Sequence, residues 1–464
     1  MPAWPGQGEA QAAKGGWSFA SKGARFAIDA SDLIGWHLGN KGGFMNAPTS
    51  DPGNLYKGGG RIASGGWLAG LITGAGLDRF VQVFEGHIDK GRLRLELPDG
   101  KTRTIESGAK GPGALMHIHR WRAFRRMMLG GSVGFAKSYI DGDWDTPDLP
   151  TFFEFGAANR EGIGNGLRGA SWIRMINRVR HRQHANTRGG SKQNIAFHYD
   201  LGNQFYKHWL DPSMTYSSAI FEEGDDSLEA AQISKYRKLL DLIDVKPGVR
   251  ILEIGCGWGG FAETAAKERG ALVTGITLSK EQLEFARQRI KGAQLTDQVE
   301  ILFKDYREVE AEFDHVVSIE MFEAVGEEYW PAFFETIYRC LKPGGKAALQ
   351  IITIDENLFE TYRQDVDFVQ AYIFPGGMLP SISKLKERVT SAGLGWDSFK
   401  TYGQHYARTL AAWHQRFEDA WSRNVFPEEF DEIFRRIWVY YLSYCEGGLR
   451  GGSIDVMQLS LAKP

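Results

Sequence analysis

The stretch Val249–Gly260, with the sequence VRILEIGCGWGG, decides the fold. Its first half is a short apolar run, which is typical of a buried strand. Its second half places Gly255, Gly257 and Gly259 directly after that strand, where glycines allow a sharp turn and let backbone N–H groups approach a ligand closely. The residues that follow, FAETAAKER (261–269), have the pattern of a helix. Strand, glycine turn and helix in this order predict the first unit of a ligand-binding α/β domain.

Outward from this unit, predicted strands and helices alternate along the chain. Strands are predicted at ALVTGITL (271–278), VEILFKD (299–305), DHVVSIEM (314–321) and KAALQIITI (346–354). A helix at 279–290 starts with the N-cap residue Ser279 and has Gln282 at capping-box spacing. This rhythm predicts an α/β fold with a doubly wound, mostly parallel, Rossmann-like sheet. We expect mainly helices after residue 356, and a last strand at 454–462 that returns to the sheet edge.

The chain before this domain divides into an extension and a small domain. Residues 1–75 are rich in Gly, Ala and Ser and predict a flexible or loosely packed extension. Met45 would serve well as a start, so a role for residues 1–44 is left open. Residues 76–160 predict a small α+β domain with one helix, WRAFRRMMLGG (121–131). Its predicted strands are RFVQVFEGHI (79–88), GRLRLELPDG (91–100), KTRTIE (101–106) and ALMHIHR (114–120).

A basic linker is predicted at 161–195, before a last domain at 196–464. No acidic residue occurs between Glu161 and Asp200, while Trp and Ile are interleaved with basic residues. The basic residues are Arg168, Arg174, Arg178, Arg180, Arg182, Arg188 and Lys192. One interpretation is contact with an anionic membrane surface, since each basic side chain near such a surface contributes roughly 1 kcal/mol. The alternative is a solvated linker.

Composition excludes several classes of protein. The formal net charge of −2 gives no basic surplus, so no nucleic acid partner is expected. Three cysteines lie far apart without metal-ligand spacing, which argues against a metal site and a disulfide framework and suits a reducing cytoplasm. No apolar run reaches the roughly 20 residues of a membrane span, and the N-terminus lacks the pattern of a signal peptide. A lipid substrate would therefore require visits to the membrane surface.

The glycine turn also indicates the kind of ligand. Its pattern, Glu253-x-Gly-x-Gly-x-Gly, lacks the lysine of a phosphate-binding loop, so it suits a ligand without phosphates such as S-adenosylmethionine. Thr277 ends the next strand, and Gln282 lies one helical turn later, where polar groups can reach a ribose. Asp305 follows a later strand, where an adenine would lie. The alternatives are a tight turn without ligand and, for Asp305, a helix N-cap.

Seven motifs in order carry a family resemblance. They are HYDLGNQFYKHWLDPSMTYSSAIF (198–221), LEIGCGWGG (252–260), KDYREV (304–309), EMFEAVG (320–326), YIFPGGMLP (372–380), GQHYARTLAAW (403–413) and YYLSYCEGGLR (440–450). From His198 to the C-terminus the chain resembles the cyclopropane fatty acid synthases and the mycolic acid methyltransferases. More weakly, residues 76–160 resemble the lipid-binding domain of the bacterial synthases. The resemblance implies methyl transfer from S-adenosylmethionine to the double bond of a membrane phospholipid's acyl chain, which gives a cyclopropane.

The resemblance also implies roles for individual residues. The positions that match the family's cofactor site are Tyr216, Ser217, Glu253, Gly255, Gly257, Gly259, Thr277, Gln282, Asp305, Tyr306 and Arg307. Glu323 and Tyr406 match residues that hold a bicarbonate ion, which acts as general base. Cys445 matches a cysteine proposed as a nucleophile, and the alternative is a packed thiol. The helical region at about 356–450 would cover the substrate.

Three exchanges depart from the family pattern around the bicarbonate site. Ser218 stands where the family has Cys, Ala324 where it has His, and Gln350 where it has His. Ser218 and Gln350 can still donate hydrogen bonds to the reacting site, but neither brings the pKa of imidazole. Bicarbonate binding and ring closure are therefore open questions at this point.

Three hypotheses remain for the function. The first is a cyclopropane-forming methyltransferase, and the second is the same methyl transfer without ring closure, as in branched- or furan-fatty-acid pathways. The third is a non-catalytic lipid-binding protein. For an enzyme we expect a cytoplasmic location, peripheral on the inner face of the membrane, and we leave a homodimer open. Aromatic side chains suited to stabilising a cation, or simply to core packing, are Tyr199, Phe205, Phe322, Tyr372 and Phe374.

Overall fold

The computed structural model describes residues 86–167, 201–224 and 227–464. They all belong to a compact unit that spans residues 63–464. The extension at 1–75, most of the predicted strand at 79–88, the basic residues 168–192 and Tyr199 lie outside the described residues. The predicted domain limits stay a prediction.

The larger sheet has seven strands. They are β5 (Arg250–Ile254), β6 (Leu272–Thr277), β7 (Val299–Phe303), β8 (Phe313–Ile319), β9 (Leu341–Ile354), β10 (Gly395–Thr401) and β11 (Ile454–Ala462). Their order is β10-β11-β9-β8-β5-β6-β7. The strands from β5 to β9 pair in parallel, and β11 runs antiparallel to both β9 and β10. The predicted mostly parallel, Rossmann-like α/β sheet is confirmed.

The last strand is not at the sheet edge, so that prediction was wrong. Strand β11 lies between β9 and β10, and the unpredicted β10 forms the edge. The sequence of β10, GWDSFKT, is largely polar, and nearly all of its residues are exposed. It therefore carries no apolar alternation from which a strand could be predicted.

Helices cover both faces of this sheet because its parallel strands are buried on both sides. Helix α5 (Leu228–Leu242) precedes the first strand of this sheet, and three helices connect later strands: α6 (Gly260–Arg269), α7 (Lys280–Gly292) and α8 (Trp330–Cys340). Ser279 caps α7 as predicted by accepting a hydrogen bond from the Gln282 N–H. The parallel strands end at one edge, which brings the glycine turn after β5, the end of β6 and the end of β8 together.

A smaller, four-stranded sheet precedes this domain. Its strands are β1 (Arg92–Glu96), β2 (Thr102–Glu106), β3 (Gly113–Ile118) and β4 (Trp144–Asp145), in the order β2-β1-β3-β4. Its helices are α1 (Arg122–Ile140), α2 (Leu149–Ala158) and α3 (Arg160–Leu167), and the short α4 (Gly202–Tyr206) follows. Helix α1 extends beyond the predicted end at Gly131, where the backbone kinks at φ 54° and ψ −140°. We call residues 86–167 the N-terminal unit.

The described end of the predicted strand at 79–88 is not extended. Residues 86–90 form turns and irregular backbone. The side-chain oxygen of Asn159, at the end of α2, accepts hydrogen bonds from the backbone N–H groups of Asp89 and Lys90, each at 2.8 Å. These bonds tie the segment to the helix end instead of to a strand.

Among the described residues, five helices start at or after residue 356, and residues of several of them line the cavity described below. They are α9 (Glu356–Tyr362), α10 (Phe368–Tyr372), α11 (Ile382–Ser391), α12 (Gly403–Ser422) and α13 (Glu432–Arg450). Helix α13 packs closely on α2, since a Cβ at Gly447 would lie 2.4 Å from the Cβ of Phe153. The Phe153 and Tyr440 rings meet edge to face at 4.9 Å. Within the described residues, no helix is both long and apolar enough to cross a membrane.

Candidate active site

A cavity of about 740 Å³ opens at the carboxyl edge of the parallel strands. One end is polar, with the glycine turn, Thr277 and the carboxylates Glu253, Glu320 and Glu323. The other end is apolar and aromatic, and the N-terminal unit and α13 line it together. The lining residues there include Leu93, Phe135, Phe152, Phe153, Phe155, Ile163, Tyr440, Tyr441 and Tyr444. Its volume lies within the ~300–1,000 Å³ that is typical of ligand sites, and its mixed lining suits one polar and one apolar ligand.

The glycine turn has the conformation that only glycine adopts without strain. Gly255, Gly257 and Gly259 have φ of 81°, 52° and 82°. A Cβ on Gly255 would lie 2.7 Å from the Cγ of Met321, whereas a Cβ on Gly257 would meet nothing within 4 Å. Gly257 therefore leaves open space beside its backbone, and a ligand can approach that backbone closely.

Glu253 places an unsatisfied acceptor beside this turn. It is 2% exposed, and among the described residues its Oε2 atom has no hydrogen-bond partner. Burial raises the pKa of Glu253 to about 8, and the charge of Lys235 opposes that rise. A buried, unpaired carboxyl oxygen is costly unless a ligand donates to it. The site is suited to a ligand that brings an ammonium or another N–H donor.

Thr277 and Gln282 lie together at the end of β6 and line the same cavity. Thr277 Oγ1 donates to Gln282 Oε1 at 2.8 Å. This bond takes the Gln282 oxygen that a reciprocal capping box would have used. Tyr216 and Ser217 line the cavity as well, and the hydroxyl groups of Tyr216 and Tyr441 are 2.9 Å apart.

The residues after β7 divide between the cavity and an internal ion pair. Tyr306 lines the cavity. Asp305 caps the short 3-10 helix Tyr306–Glu308, and its carboxylate accepts from the Arg307 guanidinium at 2.9 and 2.6 Å. Asp305, Arg307 and Gly259 are not part of the cavity lining. For Asp305 the structure therefore shows the N-cap alternative.

Glu320 is the site residue that the sequence prediction missed. Its Oε1 accepts from the Ser218 N–H and from Gln350 Nε2, both at 2.7 Å. Its Oε2 accepts from the Tyr406 hydroxyl at 2.9 Å. Three of the predicted catalytic residues thus surround one protein carboxylate. We call Ser218, Gln350 and Tyr406 the carboxylate cradle.

The backbone of Glu320 is also unusual. Its φ is 47°, in the left-handed region that costs a residue other than glycine about 1–2 kcal/mol. Its N–H donates to the Gln350 carbonyl at 2.8 Å, which fixes the residue to β9. Strained backbone of this kind is found where function requires it. The one feature of the sequence that could have indicated Glu320 as a site residue is its charge at the end of the apolar run DHVVSIEM.

Glu323 lies beside Glu320 in the cavity wall. Its Oε1 accepts from the Ile352 N–H at 2.5 Å, and among the described residues its Oε2 has no partner. Removal from bulk water raises the pKa of Glu323 to about 8, and the neighbouring charge of Glu320 adds to the rise. Near neutral pH, Glu323 is mainly the protonated member of this carboxyl pair.

A buried lysine stands behind the two carboxylates. Lys235, on α5, is 0% exposed, and its Nζ donates to Ser217 Oγ at 2.5 Å. Burial lowers the pKa of Lys235 to about 7, while the charges of Glu320, Asp211 and Glu253 oppose the fall. Gln458 Nε2 donates to both the Lys235 carbonyl, at 3.2 Å, and Gln350 Oε1, at 3.0 Å. This layer connects the lysine to the cradle and holds Gln350 in one orientation.

Cys445 lines the cavity, but its chemistry does not suit a nucleophile. Burial raises the pKa of the Cys445 thiol far above its usual range, and the charge of Asp367 adds to the rise. The reactive form of cysteine is the thiolate, so this thiol is inert near neutral pH. The packed-thiol alternative is the better interpretation.

The predicted aromatic candidates are in different places. Phe374 lines the cavity and lies 6.2 Å from the Tyr441 ring. Phe205 and Phe322 are each 1% exposed within hydrophobic core clusters and do not line it, and neither does Tyr372. The cavity wall instead contains tyrosines of α13, which the YYLSYC motif could have indicated.

The sequence of the chain is similar to those of known proteins. The family model described as mycolic acid cyclopropane synthetase matches residues 186–459. The chain belongs to this family. It is 37% identical to a tuberculostearic acid methyltransferase of Mycobacterium tuberculosis, over 80% of this chain and 88% of that protein. It is 34% identical to the cyclopropane-fatty-acyl-phospholipid synthase of Escherichia coli, over 73% of this chain and 85% of that protein.

Solved structures of the same family are similar to this chain. A mycolic acid cyclopropane synthase in complex with SAH and CTAB is 32% identical to this chain, with a TM-score of 0.54. That match covers 59% of this chain and 98% of the synthase. A second synthase from Mycobacterium tuberculosis is 30% identical, with a TM-score of 0.53 and the same coverage. The chain is a methyltransferase that uses S-adenosylmethionine, and the hypothesis of a non-catalytic protein is set aside.

The residues of the polar end fit this methyl donor. S-adenosylmethionine carries an α-ammonium group, which suits the unpaired Glu253 oxygen, and no phosphate, which suits a glycine turn without lysine. The open side of Gly257 gives its backbone room beside the ligand. When bound, S-adenosylmethionine supplies an electrophilic methyl group on sulfur. The individual cofactor-binding residues stay predictions.

Proposed function

We propose that the chain transfers the methyl group of S-adenosylmethionine to a double bond in an unsaturated acyl chain of a membrane phospholipid. The observation that supports this most is the continuity of the cavity from the glycine turn, past Glu320 and Glu323, into an apolar channel. An alkene is a weak nucleophile and its methyl adduct is a cation, so the reaction needs alignment and the exclusion of water. A cavity with an aromatic, apolar end beside the methyl donor suits both needs.

The N-terminal unit supports a phospholipid over a smaller lipid. Its side chains form much of the apolar wall, so the acyl chain would pass between both parts of the protein. The Escherichia coli relative is named for a phospholipid substrate, and its similarity extends over 343 residues. Contact with an anionic membrane surface through Arg168–Lys192, the peripheral cytoplasmic location and a homodimer stay predictions.

The product depends on the fate of the cation. Addition of a methyl group to one alkene carbon leaves the positive charge on the other. Loss of a proton from the new methyl group with closure of a carbon–carbon bond gives a cyclopropane. Hydride migration before proton loss, or proton loss from a chain carbon, gives a methylene or methylated alkene. All of these products gain one CH₂ relative to the substrate.

Two candidates for the product follow from the names of relatives and from the site. The family model and the Escherichia coli relative are named for cyclopropane formation. The relative that matches more of the chain is named as a methyltransferase, and Ser218 and Gln350, which depart from the family pattern, donate hydrogen bonds to Glu320 in the cavity wall. We therefore expect the open-chain product from this chain.

Expression in a host without its own synthase tests the proposal. Fatty acids of the membrane phospholipids are analysed by mass spectrometry and proton NMR. We expect a gain of one CH₂ with olefinic proton signals and no upfield cyclopropane signals. Upfield ring signals would assign cyclopropane formation, and phospholipids without any added CH₂ would refute the proposed function.

A further inference from the structure

Glu320 has no role in the pattern that the family resemblance implies, yet it lies at the centre of the cradle. Three of the positions that the resemblance places around a bicarbonate site, namely Ser218, Gln350 and Tyr406, bind its carboxylate, and the fourth, Glu323, lies beside it. We propose that Glu320 is the general base of the reaction and that its carboxylate takes the place of a bound bicarbonate ion. This inference rests on the proposed function.

The hydrogen bonds around Glu320 are those expected for an anion. The donors are a backbone N–H and an amide, both at 2.7 Å, and a phenol at 2.9 Å, and the two N–H bonds have the length of charge-assisted bonds. Because Gln350 Oε1 accepts from Gln458, the Gln350 amide is oriented with its N–H toward Glu320. An ionised Glu320 carboxylate accepts from all three donors. A bicarbonate ion could bind to the same donors only if it displaced this carboxylate.

Glu323, the neighbouring carboxyl, is the weaker candidate for the base. Its Oε1 accepts from the Ile352 N–H, but among the described residues its Oε2 has no hydrogen-bond partner. Bonds to the charged form favour ionisation, so the carboxylate with donors to both oxygens is ionised in preference to the one with an unpaired oxygen. Burial raises the pKa of Glu320, whereas the charge of Lys235 and the three hydrogen bonds oppose that rise. Glu323 then carries the proton of the pair.

The proposed step is the transfer of a proton from the cationic chain to Glu320, and it conserves atoms and electrons. A C–H bond on a carbon next to the cationic carbon breaks, and its electron pair forms the carbon–carbon double bond of the open-chain product. The proton goes to a Glu320 carboxylate oxygen and leaves to water after the product departs. Oε2 is the more available oxygen, because it accepts one hydrogen bond from the described residues whereas Oε1 accepts two. The step requires no ion from solution.

Removal of bicarbonate gives the first test. The full-length protein is assayed with dioleoyl phosphatidylglycerol vesicles and S-adenosylmethionine labelled in its methyl group, in CO₂-free buffer with and without added bicarbonate. We expect wild-type turnover to stay within twofold in the two buffers. A large loss of turnover without bicarbonate would overturn the proposal.

Two variants at position 320 separate proton transfer from packing. Glu320→Gln keeps the shape and removes the base, and we expect turnover to fall roughly 100-fold or more with unchanged affinity for S-adenosylhomocysteine. Glu320→Gly suits the positive φ and opens an anion-sized space. We expect bicarbonate, formate or acetate to restore at least a tenfold gain in its turnover, while the glutamine variant gains nothing.

The matched control is Glu310→Gln, at an exposed position outside the cavity. We expect wild-type turnover from it. Near-normal turnover of Glu320→Gln would refute the base assignment. A glycine variant that binds S-adenosylhomocysteine but responds to none of the three anions would assign Glu320 to positioning and also overturn the proposal. Failure of the proposed function itself is distinct, since wild type and Glu310→Gln would then both leave the lipid unlabelled.

Discussion

Replacement of Tyr406 by Phe removes one of the three donors to Glu320 and leaves the ring in place. The Tyr406 hydroxyl donates to Glu320 Oε2 at 2.9 Å, and this bond holds the pKa of Glu320 down against the effect of burial. A hydrogen bond to a charged group contributes about 1.5–3 kcal/mol, and 1.36 kcal/mol corresponds to one pKa unit. Loss of the bond should therefore raise the pKa of Glu320 by about 1–2 units.

The pH dependence of kcat measures this change. A general base is active when deprotonated, so the acidic limb of the profile for Tyr406→Phe should move about 1–2 units to higher pH. Turnover near neutral pH should fall and should recover at higher pH. Tyr402→Phe is the matched control, because Tyr402 is a buried tyrosine at the start of the same helix and lies outside the cavity lining. A uniform loss of kcat at every pH, with no movement of the limb, would refute the reasoning.

Three further outcomes follow from the site. Gly255→Ala places a Cβ 2.7 Å from Met321 Cγ at φ 81°, so we expect at least a tenfold loss of affinity for S-adenosylhomocysteine by isothermal titration calorimetry, and unchanged affinity would contradict the ligand role of the turn. Cys445→Ser should keep turnover within a few fold of wild type in the vesicle assay, since its thiol is not ionised, and complete inactivity would restore the nucleophile hypothesis. Folding raises the pKa values of Glu253 and Glu323 to about 8 from about 4.5, so these groups stabilise the folded state below pH 4.5 and lose that contribution as pH rises toward 8. Glu323→Gln should flatten the fall in the free energy of unfolding between pH 5 and 8 in urea titrations, and an unchanged slope would be the contrary result.

Much of the catalytic domain could be predicted because its signals are local. The apolar run of β5 and the glycines after it determine strand, turn and helix through backbone geometry alone. Ser279 was predicted as an N-cap because the residue type and the following pattern define a cap. Strand β10 could not be predicted, since its polar sequence pairs through backbone groups that do not depend on side chains.

The cradle could be predicted only in part, because it is formed by tertiary contacts. Ser218, Gln350 and Tyr406 come from three distant segments and were selected through the family resemblance. Glu320 was missed because neither its positive φ nor its contact with those donors can be derived from chain order. Asp305 carries both a cap signal and a ligand signal, and the structure shows the cap, while its role in cofactor binding stays a prediction.

The packing of α2 against α13 has a consequence for how such enzymes can diverge. Gly447 and Gly451 leave the two helices no space for a side chain between them, and each helix supplies one wall of the same channel. A change in the length or shape of the lipid accommodated therefore requires matched substitutions on both sides of this seam. Exchange of the N-terminal unit alone would leave a gap through which solvent reaches the carbocation, and the enzyme would then release an alcohol as a by-product.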